Sequence, residues 1–522
     1  MKQTPGYLGI DAGTQGLSVI FTDESLRILA TGHGAYDMVP GLAAECYEQR
    51  PSDWEAALVA AMAELRGGLA AAGIEMRVRA VGIAGQMHGE VLADAAGGSL
   101  GPARLWCDGR NEAEGHELTD RLGVKMPKRI TAARWLWTIR NQPERAAQAA
   151  HVTTPAGWIA WRLTGRWTLG IGDASGMFPI DPSTFDYDRG RLADFEALAA
   201  AAARSAAITP LGRMLPAVRR AGEDGGTLDA RGAKLLGLPE GVPVAPAEGD
   251  QPAALSGSLI GSAGEVSMSF GTSVVANSVG DRAFRGIARG IDHFCAPDGK
   301  PINMVFLRNG TTPMNAVVEM FGRVHGGDGF AAVMPQLLAA PADCGGLLAL
   351  PFVDDEPGLG VSHGGTACMI GLNAANATPG NAAKAMLLAT MFNLRLGGEL
   401  LDEQGFPRTA IILSGGLTKT PALGQILADV FGTPVAILAA AAEGTAWGAA
   451  LMAEYRSLAL AGRPPEWAAF LAAHASGSPT RFAPRPDAVA AYAAVFARYR
   501  RLVALHGPLE AAVEAAAARG PA

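Results

Sequence analysis

Two carboxylates and two glycine–threonine turns stand at spacings that could move a phosphoryl group. Asp11 sits in Tyr7-Leu8-Gly9-Ile10-Asp11-Ala12-Gly13-Thr14-Gln15-Gly16-Leu17-Ser18-Val19, which reads as strand, tight turn, strand. Asp250 lies in Gly249-Asp250-Gln251-Pro252, ahead of a short small-residue helix and a second strand that breaks into Phe270-Gly271-Thr272-Ser273. A turn of Gly and Thr can press backbone N–H groups and a hydroxyl against phosphate oxygens, because glycine adds no bulk at the point of approach. Gly13, Thr14 and Gln15 at one tip and Gly271, Thr272 and Ser273 at the other are therefore candidate nucleotide contacts. Asp11 is placed to hold a magnesium ion through water, with Asp250 a second candidate for that metal. Asp250 is also the candidate general base, taking the proton of an attacking hydroxyl as the new bond forms. Alignment and charge neutralisation would supply most of the acceleration. No GxxxxGK[ST] loop occurs, which excludes the ordinary P-loop arrangement.

Other elements must bring these groups together. A strand predicted over Val78 to Ile83 runs into Ala84-Gly85-Gln86-Met87-His88-Gly89, presenting Gln86, Met87 and His88 at a sheet edge as candidate ligand contacts. A helix is predicted from Pro51 to Ala72, with Ser52 or Asp53 as its cap. Residues 186 to 236 read as a helical, Ala-rich excursion. Gly170-Ile171-Gly172-Asp173-Ala174-Ser175-Gly176 has the wrong final spacing for a dinucleotide fingerprint and runs into Phe178-Pro179 where that fingerprint needs a helix. Later, Thr378 is a candidate cap for a long helix from Pro379 to Leu401. A buried strand from Thr409 ends at Gly415-Gly416, and the small residues after Glu443 predict a closely packed helix.

At 522 residues the chain is too long for one ordinary core. The expected division is residues 1–243 and 244–522, two related domains with Asp250 near their junction. The net charge is -7 and no dense Lys/Arg cluster appears, so nucleic acid and anionic membrane are excluded as partners. Any anionic ligand must be held locally. The five cysteines form no CxxC pair and read as reduced structural thiols. No basic-then-apolar leader precedes the strand at Tyr7, and no run of about 18 apolar residues could span a bilayer. A cytoplasmic protein is the expectation.

The order Asp11-Ala12-Gly13-Thr14, Gly85-Gln86-Met87-His88-Gly89, Trp106-Cys107-Asp108-Gly109-Arg110, Gly249-Asp250-Gln251, Ser269-Phe270-Gly271-Thr272-Ser273, Ser414-Gly415-Gly416 and Glu443-Gly444-Thr445-Ala446-Trp447-Gly448 resembles the FGGY carbohydrate kinases. Within that family the Gln-Met-His-Gly and Trp-x-Asp-Gly-Arg elements are similar to those of xylulokinases. The resemblance implies an α/β protein of two actin-like ATPase (ribonuclease H-like) domains, each a mixed sheet flanked by helices, with a cleft between them. It implies ATP and Mg2+ as cofactors, Asp250 as catalytic base, Asp11 as the acid near the metal, and a terminal hydroxyl of a ketopentose such as D-xylulose as acceptor. Met87 and His88 match the sugar-contacting pair, Gly271 and Thr272 the second phosphate loop, and Gly415 and Gly416 the turn beside adenosine. Dimerisation is common among similar kinases.

Two departures bear on substrate and cleft. Gln251 stands where xylulokinases typically carry Asn, as in glycerol kinases, which keeps ribulose, erythrulose, glycerol and erythritol open as acceptors. Val353-Asp354-Asp355-Glu356-Pro357-Gly358 has no Arg where the family commonly has Gly-Glu-Arg-Thr-Pro, so a contact at the closed cleft is lost or supplied elsewhere. A nucleotide-binding regulator of the same superfamily would need neither the base nor the Gln-Met-His loop. Gly360-Val361-Ser362-His363-Gly364 matches a hydrolase elbow in letters, but lacks the strand before it and the helix after it.

Overall fold

The computed structural model describes residues 2–203, 207–325, 328–438, 444–475 and 478–517. Glu443 therefore lies outside the described residues. The first hairpin pairs Lys2–Ala12 with Gly16–Asp23, and Ile28–Ala35 extends it as a third antiparallel strand. On its other side Lys2–Ala12 pairs in parallel with Ile74–Gly85, which in turn takes Glu248–Gly249 in parallel at its far end. The predicted strand is thus longer than Val78 to Ile83, because its first half pairs with the start of the chain.

The second sheet repeats the plan. Glu265–Phe270 and Val274–Val279 form the hairpin, Pro301–Leu307 continues it antiparallel, and Ala410–Gly415 lies parallel on the other side with Val435–Ile437 beyond. Ile291–Cys295 and Thr480–Phe482 complete a seven-stranded sheet. Both sheets are mixed and flanked by helices, as expected for two actin-like ATPase domains.

Each sheet buries an apolar face of its own. Leu8, Ile10, Val19, Phe21 and Ile83 pack in the first core with Trp54, Leu58 and Leu65 of the helix Pro51–Ala71. Met268, Phe270, Ile411 and Leu413 pack in the second with Leu387, Met391 and Phe392 of the helix Pro379–Glu403. Thr378 caps that helix as expected, its hydroxyl accepting from the Asn381 N–H at 3.2 Å. The cap predicted at Ser52 or Asp53 does not form. Arg50 occupies the capping position without a side-chain bond, and Pro51 starts the helix, where its missing N–H costs nothing.

The predicted helical excursion over 186 to 236 is also more broken than its alanines suggest. Helices run over Arg189–Ala202, Leu211–Met214 and Ala230–Leu236, while Ala217–Arg219 forms a strand beside Thr168–Gly170. Pro210 and Pro216 interrupt the helical run, since proline cannot donate within a helix. Ile171–Ser175 forms a short helix where none was expected.

The chain does not keep its halves apart. Glu248–Gly249 belongs to the first sheet, and the helix Gly444–Leu460 crosses back to lie on Lys2–Ala12 and Ile74–Gly85. Gly9 and Gly82 admit it: a Cβ at either would collide with the carbonyls of Ala446 or Ala449. The same helix packs on Asp250–Gly257, where a Cβ at Gly448 would strike the Ala253 carbonyl. No helix among the described residues is long and apolar enough to cross a membrane.

Candidate functional site

Asp11 and Asp250 come together because three parallel strands end at one edge. Asp11 and Glu248 are both register partners of Ala84, so two strand spacings, about 10 Å, separate those backbones. Asp250 follows at once as the first residue of the helix Asp250–Gly257. Burial, and after it the charge of Asp11, pushes the Asp250 carboxyl up to about 7, against backbone N–H groups of Gln251 and Met87 that pull it down. Burial raises Asp11 to about 6. Its Oδ1 is buried and has no hydrogen-bond partner, an arrangement a bound cation would satisfy. No group of three or more metal-ligating side chains exists among the described residues. The fit is therefore to an ion such as magnesium, held by one or two carboxylates with water and phosphate oxygens completing the shell.

The first tip hangs beside Asp11 in a network of side chains. The Tyr36 hydroxyl lies 2.5 Å and 3.0 Å from the carbonyls of Gly13 and Gly16. Gln49 donates to the Thr14 carbonyl at 2.7 Å and accepts from the Trp54 indole and the Gln86 amide at 3.1 Å and 2.9 Å. Thr14 Oγ1 donates to Gln86 Oε1 at 3.3 Å and accepts from the Trp106 indole at 3.0 Å. Gln86, expected to face the ligand, is buried with its amide engaged in this brace. Gln15 at the tip is exposed. Trp106 keeps 42% of its surface exposed, on a loop fixed by Arg110, which reaches Asp108 and Glu48 at 2.6 Å each.

Met87 and His88 follow Gln86 into different surroundings. Met87 is buried in an apolar cluster with Leu255, Val279, Phe294 and Ile302, which joins the two halves. His88 adopts a left-handed backbone, φ 67°, rare for a residue with a side chain. Its Nδ1 lies 3.0 Å from the Gly176 carbonyl, which only accepts, so Nδ1 carries the proton and Nε2 keeps its lone pair. Burial lowers the imidazole to about 3, so the ring is neutral at physiological pH. Gln251 reaches across to the second sheet, where Asn277 donates to its Oε1 at 3.3 Å.

The second tip is held by backbone. The carbonyls of Gly271 and Thr272 accept from the N–H groups of Thr311 and Gly310 at 2.8 Å and 2.9 Å, and the Thr311 hydroxyl adds a bond to Gly271 at 2.9 Å. The loop before Thr311 is anchored by the turn that departs from the family pattern. Glu356, buried, accepts from the N–H groups of Arg308 and Asn309 at 3.1 Å and 3.0 Å, and Asp355 pairs with Arg308 at 2.5 Å. The turn that lacks the family's arginine thus pairs with Arg308 at the end of the neighbouring strand. Phe270 is the register partner of Gly415, which sets Gly415 and Gly416, both exposed, alongside the second tip. Next to them opens a cavity of about 250 Å³ lined in part by Thr311, Asn315, Phe330 and Lys419. A larger cavity of about 630 Å³ lies around Arg66, Ile74 and Leu238, at the opposite ends of the first-sheet strands and away from both carboxylates.

Sequence reasoning missed Tyr36, Gln49, Asn277, Gly310 and Thr311 as parts of the site. It also missed Asp173 and Glu248. Glu248 accepts from the N–H groups of Gly172 and Asp173 at 3.2 Å and 2.8 Å. Asp173 takes the Thr154 hydroxyl at 2.5 Å, while its Oδ1 has no partner. The hydrolase-like serine is no nucleophile elbow: the N–H groups of Ser362 and His363 bind the Glu510 carboxylate at 2.6 Å and 2.9 Å.

Residues 6–257 match the N-terminal domain of the FGGY family of carbohydrate kinases and residues 323–457 its C-terminal domain. The chain is 26% identical to the xylulose kinase of Haemophilus influenzae over 86% of its own length and 90% of that protein. It is 29% identical to the xylulose kinase of Streptomyces rubiginosus, over 86% and 87%. The crystal structure of a xylulose kinase from Rhodospirillum rubrum superposes with a TM-score of 0.81 at 22% identity, covering 96% of this chain and 99% of that one.

Proposed function

The chain belongs to the FGGY family of carbohydrate kinases, and we propose that it phosphorylates a terminal hydroxyl of a ketopentose, D-xylulose above others, to the 5-phosphate at the expense of ATP. The observation that carries this reading is the convergence of Asp11, Asp250 and the Gly13-Thr14 tip at one sheet edge, beside His88 and Gln251.

In this reading Asp250 accepts the proton of the attacking hydroxyl while the new O–P bond forms and the bond to ADP breaks. Magnesium, held by Asp11 through water with Asp250 nearby, would neutralise phosphate charge. The tips Gly13-Thr14-Gln15 and Gly271-Thr272-Ser273 steady the phosphates with N–H groups and hydroxyls, and Gly415-Gly416 lies beside adenosine. His88 offers Nε2 to a sugar hydroxyl, Gln251 its amide N–H groups, and Met87 an apolar wall. Gln86 ties the sugar-side loop to the first phosphate tip. Residues 1–243 then carry most of the sugar side with the first phosphate tip, and 244–522 the nucleotide side with Asp250 and Gln251 at its start.

Asp250→Asn is expected to fold and bind nucleotide but to lose about three orders of magnitude in turnover. Near-normal turnover would sink the assignment. Because the Asp250 carboxyl is raised to about 7, wild-type turnover should fall as pH drops below about 7. Stability moves oppositely. The native state holds this proton more tightly than the unfolded chain, so the contribution is complete below the ordinary value of 3.8 and is lost as pH rises through about 7. At pH ~8 the Asn variant should therefore melt no lower than wild type, by thermal denaturation.

A second acceptor class is favoured by Gln251, whose longer side chain reaches Asn277 on the second sheet. Ribulose, erythrulose, glycerol and erythritol belong beside D-xylulose in an ADP-release assay. Preference for one of them would move the substrate and leave the chemistry intact.

A further inference from the structure

Arg134 is fully buried in the first turn of the helix Thr131–Asn141, and each of its hydrogen-bond partners is a backbone carbonyl. Nε donates to Leu105 at 3.0 Å, Nη2 to Trp106 at 2.8 Å, and Nη1 to His88 at 3.3 Å and to Arg129. A buried guanidinium is costly without a carboxylate partner. The neighbouring carboxylates are engaged elsewhere, Asp108 by Arg110 and Glu90 by Arg104, which also donates to the Arg134 carbonyl at 2.5 Å. What the charge gains here is geometric: a rigid fork gathers three chain segments at one point.

One of those segments carries His88, which faces the sugar in the reading above, and another carries Trp106, whose indole binds the first tip. His88 holds a left-handed backbone whose carbonyl is gripped by Arg134 and by the Thr131 hydroxyl at 3.2 Å; that hydroxyl also reaches the Gly89 carbonyl at 3.0 Å. On the far side the ring is fenced by Gly176, where a Cβ would come within 2.8 Å of Nδ1. Strained backbone persists only where its surroundings over-determine it. The Trp106 carbonyl, on the loop that sends its indole to Thr14, is fixed by the same guanidinium.

We propose that Arg134, assisted by Thr131, is a positioning residue that sets the sugar's KM by fixing the carbonyl of His88. The proposal rests on the sugar-side reading of His88. It is tested with Arg134→Met, Arg134→Lys, Thr131→Val, His88→Ala and the Arg134→Met/His88→Ala double variant, using magnesium-ATP and the best acceptor of the panel. Arg134→Met should raise the sugar KM about tenfold or more and the ATP KM several-fold less, since the Trp106 carbonyl it frees belongs to the loop that braces Thr14; Arg134→Lys should recover part of the loss, since an ammonium still donates to one carbonyl. In the His88→Ala background the same change should add less than about threefold. Equal rises in both KM values, or full additivity on His88→Ala, would overturn the proposal. If Arg134→Met does not fold, Thr131→Val carries the same arm, with a sugar KM raised about threefold and an unchanged ATP KM. Failure of the underlying reading is distinguishable: His88→Ala would then leave the sugar KM unchanged, and the proposal would fall with it.

Discussion

The two hairpin tips have the same chemistry in their letters and opposite means of support. The tip at Gly13-Thr14 is held by side chains that arrive from afar: Tyr36, Gln49, Gln86 and Trp106. The tip at Gly271-Thr272 is held by a loop backbone pressed so close that a Cβ at Gly310 would lie 2.5 Å from both of its carbonyls. A network of side chains spreads its support over several bonds. Backbone contact leaves no room for adjustment. Corresponding tips in two sheets of one plan need not share the residues that make them rigid.

The largest effect is expected of Gln49→Leu. It strands the Trp54 indole and the Thr14 carbonyl and leaves the Gln86 amide only its bond to the Gly13 carbonyl, all in a largely buried place. A loss of about 2–4 kcal/mol in denaturant unfolding is expected, with a higher ATP KM. A loss below about 1 kcal/mol would mean water replaces the brace.

Gly310→Ala tests the other side against Gly13→Ala as its partner. The added methyl at 310 must push backbone aside and should cost about 2 kcal/mol, with a marked fall in turnover. At Gly13 the nearest atom, the Gly16 carbonyl oxygen, stands at an ordinary 3.4 Å, so the melting temperature should barely move. Equal melting temperatures for the two variants would erase the distinction. A smaller loss than at Gly310 is expected of Tyr36→Phe. It removes one hydroxyl from between two carbonyls that Gln86 and the turn itself also serve, so about 1 kcal/mol is expected by thermal melting. A larger loss would make Tyr36 the principal support of the tip.

The same contrast explains what could be read from the residues alone. Gly13, Thr14, Gly271, Thr272, Gly415 and Gly416 were legible because glycine marks where backbone must approach closely, and the strands around them alternate or run apolar. His88 was legible from its flanking glycines, but its left-handed backbone was not, since nothing local demands it. Tyr36 and Gln49 carried no signal, and Trp106, though it opens a quoted motif, had nothing to mark it as a support of the first tip. Their partners lie tens of residues away and each resembles an ordinary surface or core residue. The turn at Asp354-Asp355-Glu356 read only as a departure, because its anchors, Arg308 and Asn309, belong to another strand end. Asp250 was legible as a carboxylate in a turn. That it opens a helix beneath a strand end in the first sheet depended on pairing at Glu248 and Gly249, too short a strand to announce itself.

The helix Gly444–Leu460 lies against strands made at the very start of the chain, with Gly9 and Gly82 shaped to receive it. A ribosome therefore releases the first sheet long before its last covering layer exists. Until that helix emerges, one apolar face of the sheet must wait uncovered or be shielded by a chaperone. Early termination would leave the nascent first half complete in sequence and incomplete in shape, and a fragment ending before residue 444 would expose the strip that the returning helix covers.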